Sequence, residues 1–289
     1  MHYAQAKSLL TQRGEMNLYR GCTHGCVYCD SRSTCYRFTH PFEDVEVKIN
    51  APELLERILR SRRRRCVVGS RSMADPYQPC ERELSLTRRC LELLDRYGFG
   101  ASVITKSDMV LRDADLWQRI HRKARAVVQM TLTCADEDLS RKLEPHVCTS
   151  RRRFEVLKEL QRLGVPTVVW MTPFLPHITD TRENLCALLD WCTDAGVRGI
   201  VFFGVGMTLR DGSREHYYQS LDRLFPGLSN VYRAEYGNAY AVMSPENDRL
   251  SRLFHETCQA RGILHAPEDC FRFITDMPEA YIQTSLFDE

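Results

Sequence analysis

The stretch Gly21-Cys22-Thr23-His24-Gly25-Cys26-Val27-Tyr28-Cys29 sets three thiols at C-x3-C-x2-C spacing, in a loop that follows a short strand-like segment from Met16 to Tyr19. Thiolates are the usual protein ligands of iron–sulfur clusters, and closely spaced cysteines can converge on one. A [4Fe–4S] cube has four irons, so three cysteines leave one iron without a protein ligand. An open iron can bind a molecule that reacts, and the spacing therefore favours catalysis over electron storage. The competing reading is a zinc knuckle, but zinc usually takes four protein ligands, often as two separated pairs.

Such a loop needs a scaffold, and the chain has one. Its 289 residues are enough for a large core. At 43% hydrophobic and 27% charged the composition is that of a globular protein, with no run of the ~18 apolar residues that a membrane span requires. The start, Met1 to Lys7, has no secretory apolar region. Thirteen cysteines then read as reduced thiols plus a metal site, and a cytoplasmic location is expected. A net charge of +2 gives no global argument for nucleic-acid binding.

Strands alternate with helices. Ser31 to Glu46 has no clear period, but Asn50 and Pro52 then open a helix with Leu54, Leu55, Ile58 and Leu59 on one face. Apolar strand runs follow at Cys66–Gly69, Ala101–Thr105, Ala126–Thr133, Val165–Thr172 and Gly199–Val205. Helices separate them, capped at Asp113, at Thr149 or Ser150 and at Asp180 or Thr181, and stopped at Gly98, Gly164 and Gly196. Runs buried on both faces and joined by helices demand parallel strands with right-handed crossovers. Periodicity does not distinguish an open sheet from a barrel.

With an aromatic residue before its third cysteine, the loop resembles the signature of the radical S-adenosylmethionine (SAM) superfamily. The wider string Asn17 to Cys29 resembles its spore photoproduct lyase branch. The resemblance implies an α/β fold, a partial (β/α)6 TIM-type barrel, for a core at residues 1–207 with a helical C-terminal extension at 208–289. It also implies that Cys22, Cys26 and Cys29 hold a [4Fe–4S] cluster whose open iron chelates SAM. Reductive cleavage of SAM then gives a 5′-deoxyadenosyl radical that abstracts a hydrogen atom. A flavodoxin- or ferredoxin-type protein would donate the electron. In the family's terms, Tyr28 meets the adenine, Lys106 the SAM carboxylate, and Ser70, Ser72 and Thr131 the amino-acid part. Asp75-Pro76-Tyr77 and Glu144-Pro145 also recur in this branch.

Barrel position sorts the remaining candidates, because loops after strand ends line the reactive face. Gln129, Thr131 and Thr133 alternate onto one side of their strand, a polar face pointing inward. Arg151-Arg152-Arg153 opens a helix on the reactive face, where cations oppose the dipole. That conflict points to an anion, the SAM carboxylate or a phosphate-bearing substrate, with Arg152 as its contact. Arg62 to Arg65 belong to the opposite face as a solvated turn. His24 is expected at the surface, with a place over the cluster as the alternative.

The photoproduct lyase returns a hydrogen atom through a cysteine at a position that here corresponds to Ser72, whose O–H bond is too strong for that role. Cys35, Cys80, Cys134 and Cys148 are the alternative thiols on that face. His255, Cys258, His265 and Cys270 form an irregular set better read as packing than as a second metal site. The substrate stays open among a nucleic-acid lesion, a modified nucleoside and a peptide. A non-catalytic electron-transfer protein, a nucleic-acid-binding module and a strict DNA repair lyase are the rival readings.

Overall fold

A computed structural model describes residues 1–70 and 73–278. Six strands form one sheet in chain order: β1 (Glu15–Met16), β2 (Val67–Ser70), β3 (Gly100–Thr105), β4 (Ala126–Thr131), β5 (Thr167–Trp170) and β6 (Gly199–Val201). Every neighbouring pair is parallel. Helices α1 (Ala51–Ser61), α2 (Leu86–Tyr97), α3 (Ala114–Lys123), α4 (Ser150–Arg162) and α5 (Arg182–Asp194) lie on the crossovers. The sheet is a partial TIM-type barrel, and the alternation of strands and helices in the sequence is its cause.

The helix-facing side of the sheet carries Val68, Ala101, Val103, Val128, Met130 and Val169, packed with the apolar faces of the helices in one continuous core. Two caps differ from expectation. Asn50 makes no cap bond at α1; its side-chain amide instead accepts from Ala6 N (2.8 Å) and donates to Ala6 O (2.9 Å). Asp113 makes no cap bond at α3; it is buried and bonded to Tyr77, Arg88 and Arg112.

The segment before the cysteines is also subdivided. Glu15–Met16 joins the main sheet, whereas Tyr19–Arg20 pairs with Glu46–Lys48 in a separate three-stranded sheet that also holds His2–Ala4. The chain changes sheets immediately before Cys22.

Beyond β6 come α6 (Ser213–Leu224), α7 (Leu228–Tyr236), α8 (Asn247–Ala260) and α9 (Pro267–Thr275), with a short antiparallel pair of Gly206–Thr208 and Ala241–Met243. This region touches the barrel in two ways. Leu264 pairs with the free edge of β6, giving its carbonyl to Ile200 N at 2.8 Å. Next to it α9 places Cys270 and Ile274 against Val127, Val168 and Val201, on the inward face of the sheet. Higher up, Met207, Tyr217, Leu221 and Tyr232 pack on Cys26, Val27 and Tyr28. Among the described residues no helix is long and apolar enough to cross a membrane.

Candidate functional site

The cysteine loop lies over the C-terminal ends of the strands and is strapped there by backbone contacts. Cys22 N donates to Phe42 O (3.2 Å), Val27 N to Leu143 O (3.0 Å), and His146 N to His24 O (3.1 Å). Gln78 bridges the loop after β2 to it, accepting from Thr23 N and donating to Gly21 O. Gly25 takes a left-handed φ of 72°, and a Cβ there would stand 2.9 Å from the His146 ring. The loop is thus held from three neighbouring segments before any ligand is considered.

The three thiols suit a cluster better than a single ion. They do not all lie within 4.8 Å of one another, so they are not gathered on one metal. Burial, with the Asp75 carboxylate nearby, pushes the Cys22 thiol up to about 12. Burial also pushes Cys26 well above its ordinary value. A ligating thiolate at these positions needs a compensating positive charge, which bound iron supplies.

Beneath the loop lies a buried charged group. The Tyr28 hydroxyl donates to Glu144, and Arg153 Nη2 pairs with the other Glu144 oxygen at 2.5 Å. Arg153 is completely buried, and its remaining N–H groups donate to the carbonyls of Lys106 (3.0 Å), Thr131 (3.3 Å) and Cys148 (2.7 Å). It therefore fastens together the ends of β3, β4 and the loop before α4. Asp75 does the same from β2. It accepts from Thr105 Oγ1 (2.7 Å), Lys106 N (2.8 Å) and Tyr77 N (2.8 Å), and lies 3.4 Å from His24 Nδ1.

Lys106 is the exception among these charges. Its Nζ is 3.4 Å from Thr131 Oγ1 and 5.7 Å from the centre of the Tyr28 ring. Among the described residues it has no carboxylate partner within ion-pairing distance. Burial works against its ammonium, but Cys26 and Glu144 hold its pKa above the ordinary value.

The structure thus brings together Tyr28, Lys106 and Thr131 with the three cysteines. Ser70 stands apart: its Oγ accepts from Ile104 N at 2.9 Å, and it lines a small apolar cavity with Val68, Val103 and Trp117 on the helix side. Arg152 is 41% exposed and already bonded to Asp108 (3.1 Å) and Glu155 (3.2 Å). The arginine of that run that enters the site is Arg153, and its anion is internal. Ser72 lies outside the described residues. His24 is buried rather than at the surface, and burial lowers its pKa against the pull of the Asp75 carboxylate.

Below Thr131 the inner wall is polar at first and then aromatic. Gln129 Nε2 donates to Ser102 Oγ (2.6 Å), and Trp170 Nε1 donates to Gln129 Oε1 (2.7 Å). Trp170 is the register partner of Thr131, and its ring meets Phe203 and Phe271 with centroids 6.1 and 6.0 Å away. Sequence reasoning passed over Trp170, although it falls on the inward parity of its strand.

Comparison with known proteins places this arrangement. An uncharacterised protein of Mycobacterium tuberculosis is 32% identical over 232 residues, 78% of this chain and 67% of that protein. An uncharacterised protein of Methanocaldococcus jannaschii is 30% identical over 169 residues, 58% of this chain and 62% of that protein. Spore photoproduct lyase complexed with dinucleoside spore photoproduct superposes with a TM-score of 0.65 at 13% identity, covering 91% of this chain and 80% of that one. Streptococcus suis SuiB bound to S-adenosylmethionine gives 0.54 at 11% identity, covering 87% and 49%. At such identities the likeness is one of fold. The Radical SAM superfamily model matches residues 16–192, a span that holds the three cysteines, Lys106 and Thr131. The chain belongs to the radical SAM superfamily, whose members use a [4Fe–4S] cluster and SAM.

Proposed function

We propose that this protein is a radical SAM enzyme in which Cys22, Cys26 and Cys29 ligate the cluster and Lys106 receives the SAM carboxylate. The observation that carries this reading is the contrast between Lys106 and its surroundings. The other charged side chains of the site, Arg153, Glu144 and Asp75, have internal partners that match them, while the Lys106 ammonium faces the cysteine loop with only the Thr131 hydroxyl at 3.4 Å and, among the described residues, no carboxylate. A charge-assisted contact to a carboxylate completes it. Thr131 Oγ1 supplies a neighbouring hydroxyl, and the Tyr28 backbone lies beside the third cysteine for the adenine.

When bound, cluster and SAM supply a 5′-deoxyadenosyl radical that abstracts a hydrogen atom from the substrate. The chain's own residues position and shield. Asp75 and Arg153 fix the strand ends, and Tyr217, Tyr232 and Met207 wall the cysteine loop off from water. The wall of Trp170, Phe203 and Phe271 favours a substrate with a flat ring, a nucleobase or an aromatic side chain. A flavodoxin- or ferredoxin-type donor in the cytoplasm fits the reduced thiols of the sequence.

Anaerobic reconstitution should load about four irons per chain, and reduction with SAM should then release 5′-deoxyadenosine. Cys22→Ala, Cys26→Ala and Cys29→Ala should each abolish that release. A fully loaded protein that binds SAM and never releases 5′-deoxyadenosine would make it an electron-transfer protein instead.

A further inference from the structure

A second set of metal-ligating side chains lies near the start of the chain. A ring nitrogen of His2, a ring nitrogen of His40 and a carboxylate oxygen of Asp44 all fall within 4.8 Å of one another. His2 is on the strand His2–Ala4, fixed by its parallel pairing with Glu46–Lys48 and by His2 N donating to Val45 O at 3.0 Å. His40 and Asp44 come from the loop that leads into that second strand. The two rings meet edge to face, with centroids 4.7 Å apart. His2 Nδ1 is 3.0 Å from Asp44 Oδ2, while the Met1 ammonium holds Asp44 Oδ1 at 2.6 Å.

The state of His40 points to a ligand. Its Nδ1 is 3.0 Å from Pro41 O. A carbonyl only accepts, so Nδ1 carries the proton and Nε2 of the neutral ring keeps its lone pair. That Nε2 is buried and has no hydrogen-bond partner among the described residues. The Glu46 carboxylate is 4.0 Å from it. One ring nitrogen on a backbone carbonyl and the other bare is how proteins prepare a histidine for a metal.

We infer that His2, His40 and Asp44 form a site for a divalent transition ion of the zinc class. Two imidazoles with a carboxylate are a nitrogen–oxygen set that suits zinc and disfavours calcium or magnesium. Ligand atoms around tetrahedral zinc stand about 3.3 Å apart, given bonds of about 2.0 Å, so the present cluster closes on an ion by a small inward shift. No cysteine takes part.

The location gives the ion a task. The loop from His40 to Asp44 carries Phe42, whose carbonyl accepts from Cys22 N at 3.2 Å. A Cβ on Gly21 would come within 2.3 Å of that same oxygen, so the two segments are in tight backbone contact. An ion at His2, His40 and Asp44 clamps this loop to the three-stranded sheet and stiffens the support behind Cys22 without touching the cluster.

The test uses protein already loaded with its iron–sulfur cluster, titrated anaerobically with Zn²⁺, dialysed and assayed for zinc and iron. The expected result is one zinc per chain in addition to the iron. His40→Gln, Asp44→Asn and the strand-edge variant His2→Gln should each weaken zinc binding at least about tenfold with iron unchanged. Hydrogen exchange across residues 37–48 should slow with zinc in the parent and not in His40→Gln. Zinc bound equally by parent and all three variants, or zinc gained only as iron is lost, would overturn the site. This reading is independent of 5′-deoxyadenosine release, so either can fail without the other.

Discussion

The loops above the strands and the inner wall of the barrel face the same space and are built in opposite ways. Above, the ionised side chains are mostly spent on the protein itself: Arg153 on Glu144, Arg152 on Asp108 and Glu155, Asp75 on Thr105 and Lys106 N. The Lys106 ammonium, 3.4 Å from Thr131 Oγ1, has no carboxylate partner among the described residues. On the wall, Ser102, Gln129 and Trp170 satisfy one another, and the aromatic surface beyond them is open, with Phe203 55% and Phe271 38% exposed. A ligand whose reacting bond must be placed to a fraction of an ångström needs groups locked by their neighbours. A second ligand that brings its own shape is served by a broad apolar face with few polar demands. On the proposed function, the upper loops would serve the cofactor and the wall the substrate.

The largest effect should come from unlocking the upper region. Arg153→Met leaves Glu144 buried without its partner and should cost about 3–5 kcal/mol, read from the denaturant midpoint. The double variant Arg153→Met, Glu144→Gln should recover much of that loss, since neither charge of the pair remains. A single variant as stable as the parent would mean that the pair does not hold the region. The same pair sets an acid limit. Burial opposes ionisation of Glu144, but Arg153 and Lys106 pull its pKa below the ordinary 4.5. Its contribution is therefore complete above that ordinary value and is lost as pH falls through the lower folded value. Glu144→Gln should flatten that part of the acid-unfolding curve.

Next in size is the proposed cofactor contact. Lys106→Ala should weaken SAM binding by about 1.5–3 kcal/mol, roughly ten- to a hundredfold, with iron content unchanged. Equal affinity in parent and variant, measured on cluster-loaded protein, would move the carboxylate elsewhere and undo the contrast drawn above.

What the sequence made legible followed from short-range physics. The apolar runs and helical faces gave the parallel sheet, because burial on both sides leaves a periodic trace. The cysteine loop was legible because its three thiols are neighbours in the chain. Thr149 and Thr181 also cap their helices as read, accepting from Arg152 N and Asn184 N. What stayed hidden depends on distant pairing. Arg153 shares the helical face of Leu157 and Leu160, but only the distant Glu144 shows that a charge can be buried there. Asn50 looks like a helix cap until Ala6 is beside it. His2 and His40 are separated by a stretch without period, and only strand pairing brings them together. Trp170 also had an unused local signal, since alternation from Val168 already turned it inward.

The smallest effect concerns that tryptophan, and it tests the substrate half of the contrast. Trp117 is buried in the core and Trp191 is stacked on Phe154, so of the three tryptophans Trp170 is the one placed to report on a ring entering the barrel. Aromatic ligands offered in turn, nucleosides and tyrosine- or phenylalanine-containing peptides, should quench its fluorescence if they stack there. Trp170→Phe removes the donor to Gln129 but keeps a flat face, while Trp170→Ala removes both. Stacking of this kind contributes about 0.5–1.5 kcal/mol, so Trp170→Ala should weaken such binding about two- to tenfold, and Trp170→Phe less. Release of 5′-deoxyadenosine without substrate should be the same in all three proteins, because the upper loops are untouched. If Trp170→Ala slowed that release as much as it weakened ring binding, the wall would belong to the cofactor, and the division between the two regions would fail at Thr131, where they meet.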